Sequence, residues 1–390
     1  MFRQDFSLRS RQWACGCSFF AMLAMPFAAL SGETGKLENI AMKPANWQAN
    51  GELTFSEQAG IAQGVMKVKK GGAILKDHLF QNGTIEYDVM EEADNEGIAG
   101  IWFHQQDQYV AENFYLRTDA GCPGSVECIQ YAPVSRGNAQ WDVYPEYQAS
   151  APVHASGWNH VKLVISGQRM NVYMNGESTP SLRVGRLESE SRSGGIQLWG
   201  DAKFANLSVT PDATEGLAPD PVPDPIANDL NYVREWMVGP VGRISVGQEI
   251  SALPKDYDRT TRQAISAERK GFVNLGRGFG TPVGDPDLAW LRATVYSNGK
   301  QTKHVALGWA RQIWIFVNGK LIFADKNFYY PEAGRKPPLG RLSIENGGFD
   351  LPLQAGKNDI DIAISDDLHS AHHWGWGFEF RFDNLDGLAR

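Results

Sequence analysis

The chain is poor in cysteine and in positive charge, and it has no long amphipathic helical stretch downstream of its N-terminal segment. The formal net charge of −8 over 390 residues argues against a nucleic-acid partner, because binding phosphate needs a basic surface. No phosphate loop is present: Gly276-Arg277-Gly278-Phe279-Gly280 lacks the strand–helix context that makes a glycine-rich loop hold nucleotides. No Gly-x-Ser-x-Gly nucleophile elbow occurs either. Of the four cysteines, two fall early, in Cys15-Gly16-Cys17. That leaves Cys122 and Cys128, in the run CPGSVEC, whose Pro-Gly turn can bring the two thiols together. One small-loop disulfide is the expectation for an exported chain, since a metal site needs more ligands than this loop offers.

The first residues carry the marks of export. Arg3, Arg9 and Arg11 precede a mostly apolar run from Trp13 to Leu30, and Ala29-Leu30-Ser31 forms a small-x-small cleavage site. A signal peptide over 1–31 follows, with a secreted or periplasmic mature protein that has no membrane span. A retained anchor is the other reading, weakened by Pro26 and the polar Cys15–Ser18 stretch. Neither early cysteine sits in a lipoprotein pattern.

What remains is long enough for two cores. Short apolar alternations bounded by Gly, Asn, Asp and Pro recur throughout, which predicts an all-β protein. Residues 211–230, PDATEGLAPDPVPDPIANDL, interrupt them. Five prolines and five acidic residues there predict a stiff, extended, solvated linker, dividing the chain into a domain at 33–210 and another at 231–390. In WNHVKLVISGQRMNVYMNGE, Val161, Leu163 and Ile165 share one strand face, Val172 and Met174 the next, and Asn175-Gly176 suits a tight turn.

The segments FQNGTIEYDV, GIAGIWFH, NFYLR, IQYAP, the hairpin just described, GGIQLWG and FANLSV together resemble the concanavalin A-like lectin/glucanase superfamily, in its laminin G-like and 3-keto-disaccharide hydrolase-like forms. In the second domain, IWIFVNGKLIF, L-x-A-G-x-N and the closing GWGF resemble galactose-binding-like jelly rolls. The resemblance implies a concanavalin A-like β-sandwich followed by a jelly-roll β-sandwich. It leaves function open, because lectins, adhesion modules and hydrolases share these folds. The patch RTTRQAISAERKG is helix-prone and has no place in that pattern.

Three constellations are candidates for chemistry. Glu86, Asp88 and Glu91 match the E-x-D-x-x-E carboxylate strand of laminarinase-type glucanases, in which the carboxylates serve as nucleophile, tuning group and acid/base. Chain order argues against this, since that strand should follow GIAGIWF rather than precede it. The alternative is an ordinary strand with Glu86 and Asp88 on its polar face. Trp102, His104, Tyr115, Arg117, Gln130 and Tyr131, with Trp141 from the next segment, form the second set. On a concave sheet they would suit a sugar, rings stacking on C–H faces while Arg and Gln fix hydroxyls. The competing reading pairs Arg117 with Asp119 or Glu112 and puts the aromatics in the core. Asp142 and Glu146 keep hydrolysis open. Third, His369, His372, His373 and Trp374 offer a metal site or a sugar platform, against a solvated loop leading into core Trp376 and Phe378. Acidic loops at Asp94-Asn95-Glu96 and at Asp285 with Asp287 are candidates for Ca2+, or plain turns. The favoured function is binding of a polysaccharide or other glycan on the concave face. The alternatives are a glycoside hydrolase or related sugar-cleaving enzyme and a structural or adhesion protein. Nothing in the sequence signals an oligomeric state.

Overall fold

Successive residues of an extended strand point to opposite faces, so the strands of the first sandwich are two-faced, and one face decides the core while the other decides the site. The computed structural model describes residues 35–91, 97–280, 287–366 and 374–389. The expected signal peptide therefore lies outside the described residues. The strands of three residues or more that build the first sandwich are β1 (Trp47–Gln58), β2 (Ile61–Leu75), β3 (Gly83–Glu91), β4 (Ile98–Gln105), β5 (Ala111–Arg117), β6 (Ile129–Ser135), β7 (Asn159–Ser166), β8 (Arg169–Met174), β9 (Leu182–Val184), β10 (Gly195–Gly200) and β11 (Ala202–Pro211). One sheet runs β9-β8-β7-β3-β11 and the other β10-β4-β5-β6, all antiparallel. The long strand β2 belongs to both: Val65–Val68 pair with β11, whereas Gly72–Ile74 pair with β10. It turns between them at Lys70 (φ 53°) and Gly71 (φ 144°), where a Cβ on Gly71 would lie 1.9 Å from the Asn50 carbonyl oxygen. The bend lets one strand carry the chain around the rim of a concanavalin A-like sandwich.

The β7–β8 hairpin is as its sequence predicts. Val161, Leu163, Ile165, Met170, Val172 and Met174 are all fully buried. Asn175 and Gly176 take positive φ values of 50° and 78°, the left-handed pair that a tight turn needs. Strand β5 matters most for function. Phe114 and Leu116 enter the core together with Glu112, while Asn113, Tyr115 and Arg117 stand on the opposite face.

The second sandwich is a jelly roll of β12 (Glu235–Val238), β13 (Gln263–Ser266), β14 (Phe272–Asn274), β15 (Asp287–Ser297), β16 (Gln301–Val317), β17 (Lys320–Asn327), β18 (Gly347–Leu353), β19 (Gly356–Ser365) and β20 (Gly377–Phe382). It repeats the shared-strand device. The first part of β16 pairs with β18 and β20, and from Arg311 onward it pairs with β17 and β19. The switch falls at Arg311, whose φ is +87°. The helix-prone patch supplies the edge strand β13, because pairing with Trp236 and its neighbours overrides local propensity. The glycine-rich run does follow a strand. It continues from β14 into a single turn of helix, α1 (Leu275–Phe279), with Asn274 as its cap. Its Arg277 is engaged by Glu268, Glu190 and the Glu188 carbonyl.

The two sandwiches lie within one compact unit, Thr34–Arg390, and meet over a seam of buried polar groups. Arg311 pairs with Asp142 at 2.7 Å, both side chains being about 3% exposed. The Asp142 backbone is also tied at both ends: its N–H donates to the Trp374 carbonyl (2.8 Å) and its carbonyl accepts from Leu342 N–H (2.9 Å). Arg341 donates to Gln148 (2.6 Å) and to the Trp141 carbonyl. Asn274 donates to Gln140 at 2.7 Å, and Tyr144 donates its hydroxyl proton to Glu268 at 2.7 Å. Apolar contact continues the first core across the seam through Phe272, Ala310 and Leu342. Residues 211–230 run along the first sandwich. Gln168 N–H bonds the Pro219 carbonyl (2.9 Å), and Val222 N–H bonds that of Gly185 (2.8 Å).

Removing one partner of a buried ion pair strands the other's charge. Arg311→Met is therefore expected to lower unfolding free energy by about 3–5 kcal/mol, with Arg311→Met/Asp142→Leu recovering part of it. Urea denaturation monitored by tryptophan fluorescence checks this. A loss below about 1 kcal/mol, the range of an exposed pair, would contradict a seam held by this contact.

Candidate functional site

The outward face of β10-β4-β5-β6 forms the floor of a 910 Å³ cleft whose opposite wall comes from the second sandwich. Alternation along β5 puts Asn113, Tyr115 and Arg117 on the floor, and β10 adds Trp199 beside them. Trp141 stands at the β6 side. Tyr329, Tyr330 and Trp374 reach over from the second sandwich.

Arg117 is the polar centre. It donates to the Glu127 carbonyl (2.8 Å), to the Tyr115 hydroxyl (3.2 Å) and, through two nitrogens, to Gln130 Oε1 (3.3 Å each). Gln130 Oε1 also accepts from the Trp141 indole N–H. Three donors converging on one oxygen fix the orientation of that buried amide, since a flip would set N–H groups against N–H groups. The Arg117 guanidinium lies 4.9 Å from the Tyr115 ring centre and 5.8 Å from that of Trp141. Trp199 donates to Asn113 Oδ1 at 3.0 Å, and its ring packs against Tyr115 at 5.8 Å.

The expected disulfide, Cys122–Cys128, is formed. It closes the loop that carries Glu127, so it steadies the carbonyl that holds Arg117. The Glu127 carboxylate accepts the Tyr329 hydroxyl proton at 2.8 Å. Asp119 and Asp201 also line the cleft. Beneath Trp141, Arg341 stacks at 4.1 Å and is 1% exposed. Burial pushes its guanidinium down to about 10, against the pull of Asp142.

The structure gathers Tyr115, Arg117, Trp141 and Trp374 in the cleft, with Gln130 as their hidden anchor. Trp102 shares the outward face, opposite Asn113 and Gln197 in the pairing, but stands outside the cleft lining. Tyr131 does not join them. It follows Gln130 in the same strand, so it faces the core, where it donates to Glu112 at 2.5 Å. His104 is also elsewhere: its φ of +50° breaks the alternation and turns the ring onto Phe80 and Phe103. Burial lowers its pKa to about 4, and its Nε2 contacts the Gln81 carbonyl at 2.8 Å.

Glu86 and Asp88 lie in the other sheet, on the face away from the core residues Ile85, Tyr87 and Val89. There they flank His160, Asp88 at 2.7 Å and Glu86 at 3.4 Å. Burial opposes the Asp88 charge, but hydrogen bonds from His160 and Asn206 outweigh it and hold the carboxyl below its usual range. These two therefore do not form a cleft carboxylate pair. Glu91 accepts from Thr118 at 2.5 Å, next to cleft residue Asp119, and burial raises it to about 7. His369, His372, His373, Asp94, Asn95, Glu96 and Asp285 lie outside the described residues. Asp287 pairs with Arg243 at 3.0 Å. Among the described residues, no group of three or more His, Cys, Asp or Glu side chains is arranged to hold a metal ion.

Asn113, Trp199, Tyr329 and Tyr330 were not singled out from the sequence. Asn113 was recoverable, since it lies two residues from Tyr115 and four from Arg117 on a strand. Tyr329 and Tyr330 were not, because only the docking of the second sandwich brings them near.

Residues 41–210 match the family described as a 3-keto-alpha-glucoside-1,2-lyase-like domain. The match spans the first sandwich, which has the expected concanavalin A-like fold, and leaves the jelly roll outside it. No curated protein matches the sequence. Among solved structures, a putative glycosyl hydrolase from Parabacteroides distasonis is 19% identical, covering 45% of this chain and 98% of its own, with a TM-score of 0.32. The carbohydrate-binding module CBM66 from Bacillus subtilis is 12% identical over 45% and 97%, with a TM-score of 0.30. The Bacillus licheniformis β-glucanase is 11% identical over 46% and 99%, also at 0.30. At these identities and TM-scores the three structures assign no activity to this chain.

Directly behind the cleft floor, Glu112 is fully buried, and burial raises its pKa from 4.5 to about 7. A raised carboxyl favours folding while it is protonated. Its contribution is complete below pH 4.5 and is lost as pH rises through about 7. Glu112→Gln keeps the neutral shape, so its stability relative to the parent should improve between pH 5 and pH 8 by on the order of 3 kcal/mol. Denaturant titrations at the two pH values measure this, and a constant difference would show that Glu112 is ionised throughout.

Proposed function

We propose that the cleft between the two sandwiches binds a neutral glycan built of α-linked glucose, in an exported protein. One observation carries the reading: six aromatic side chains (Tyr115, Trp141, Trp199, Tyr329, Tyr330 and Trp374) converge with Arg117 and Asn113 on a single cleft. The part-exposed rings of Trp199, Tyr330 and Trp374, backed by the buried Tyr115, Trp141 and Tyr329, suit stacking on the C–H faces of pyranose rings, while the guanidinium and amide suit hydroxyls. Asp119, Glu127 and Asp201 line the same cleft against one arginine, so an acidic sugar would meet like charge. The α-glucoside in the name of the matching family supports the choice of sugar. The disulfide supports export, and no helix among the described residues is long and apolar enough to cross a membrane.

Isothermal titration with maltoheptaose tests this. Arg117→Ala and Trp199→Ala should each weaken binding by about tenfold or more, equivalent to about 1.4 kcal/mol. Glu86→Gln and Asp88→Asn should leave it unchanged. Absence of binding to this and every other neutral glycan on a broad array contradicts the proposal.

A second reading, in which the bound glycan is also cleaved, has its own support. Three carboxylates line the cleft, and the matching family is named for a lyase. It predicts release of a smaller sugar from an α-glucoside or its 3-keto form. Asp119→Asn, Glu127→Gln or Asp201→Asn should abolish release while preserving binding. Chromatography of the incubation mixture decides between the readings, and unchanged sugar at high protein concentration leaves only binding.

A further inference from the structure

We infer that the second sandwich walls off one side of this cleft, so that the protein takes the end of a glycan chain rather than its middle. The inference rests on the cleft being a glycan site. The floor crosses β10, β4, β5 and β6, four strands spanning about 14 Å at the usual strand spacing, the length of a short oligosaccharide. At the β6 side the floor ends against Trp141. Tyr329 meets that ring edge-on at 4.5 Å and Trp374 meets it at 5.0 Å. Trp141 and Tyr329 are only 5% and 8% exposed, so among the described residues these rings pack closely at this end of the floor.

The wall is fixed rather than hinged. The Tyr329 hydroxyl is tied to Glu127 across the cleft. Arg335 lies over the Tyr329 ring at 4.1 Å and bonds its carbonyl at 2.6 Å. Behind Trp141 stand the buried Arg341 and the Asp142–Arg311 pair.

The opposite side is of different character. Past β10 the sheet continues into the second half of β2. Along the strands from Trp199, the outward face continues through the buried Gln197 of β10 and the part-exposed Trp102 of β4. A separate, smaller groove of 350 Å³ lies beyond, lined by Gln48, Asn50 and Gln105. Amide side chains and a tryptophan suit further sugar units. A chain lying across the strands therefore extends toward β2 and terminates at Trp141.

The test compares maltoheptaose, which has two ends, with cyclomaltoheptaose, which has the same linkage and none, by isothermal titration on the full-length protein. The linear sugar should bind at least about tenfold more tightly. Tyr330→Ala, which trims the 49%-exposed rim of the wall, should narrow that ratio. Equal affinity for ring and chain overturns the inference and leaves the glycan site standing. Binding of neither sugar overturns the inference and the choice of α-linked glucose, and the broad array then decides on the glycan site.

Discussion

The functional face of this protein depends on a buried ion pair at the seam between two sandwiches. Asp142 and Arg311 are withdrawn from water together at 2.7 Å. Such pairs add little net stability over well-packed apolar groups, but they tolerate no loose fit, because a displaced partner leaves a bare charge in a low-dielectric setting. Around the pair, the Asp142 backbone is bonded to two separate segments of the second sandwich, at Leu342 and Trp374. The neighbouring Trp141 is thereby held against Arg341. The pair thus acts with the other seam contacts in setting how the sandwiches meet and where Trp141 stands.

Strand β5 transmits this order to the floor. Its inward face carries Glu112 into the Tyr131 hydroxyl, and its outward face carries Arg117 into Gln130. Gln130 and Tyr131 are successive residues of β6, so the core network and the cleft network are two faces of the same pair of strands. The disulfide loop adds the Glu127 carbonyl for Arg117 and the Glu127 carboxylate for Tyr329. The jelly roll is, on this account, part of the site rather than an appended module. Residues 211–230 are bonded to the first sandwich at Pro219 and Val222.

Two-residue periodicity made much of the fold legible, and the same rule explains where reading stopped. The hairpin from Asn159 to Met174 shows its core face in its sequence, and Tyr115 with Arg117 share a face for that reason. Applied to Gln130 and Tyr131, alternation separates two residues that a composition-based array joins. His104 escapes the rule, because a left-handed backbone at that position turns an outward residue inward. Glu86 and Asp88 do obey it. Their motif resembles a catalytic strand, yet alternation only says that they leave the core, and the sheet they belong to decides what they meet. Tyr329 and Arg341 were illegible because their partners, Glu127, Trp141 and Gln148, lie about two hundred residues away in the chain. Such contacts follow from docking, which local pattern does not encode.

The most direct measurement is a crystal structure of the protein grown with maltoheptaose. The account predicts a sugar ring against Trp199 and Tyr330 within hydrogen-bonding distance of Arg117 and Asn113, its chain leading away from Trp141. Sugar found instead on the far sheet beside Glu86, Asp88 and His160, or on the jelly roll alone, would contradict it.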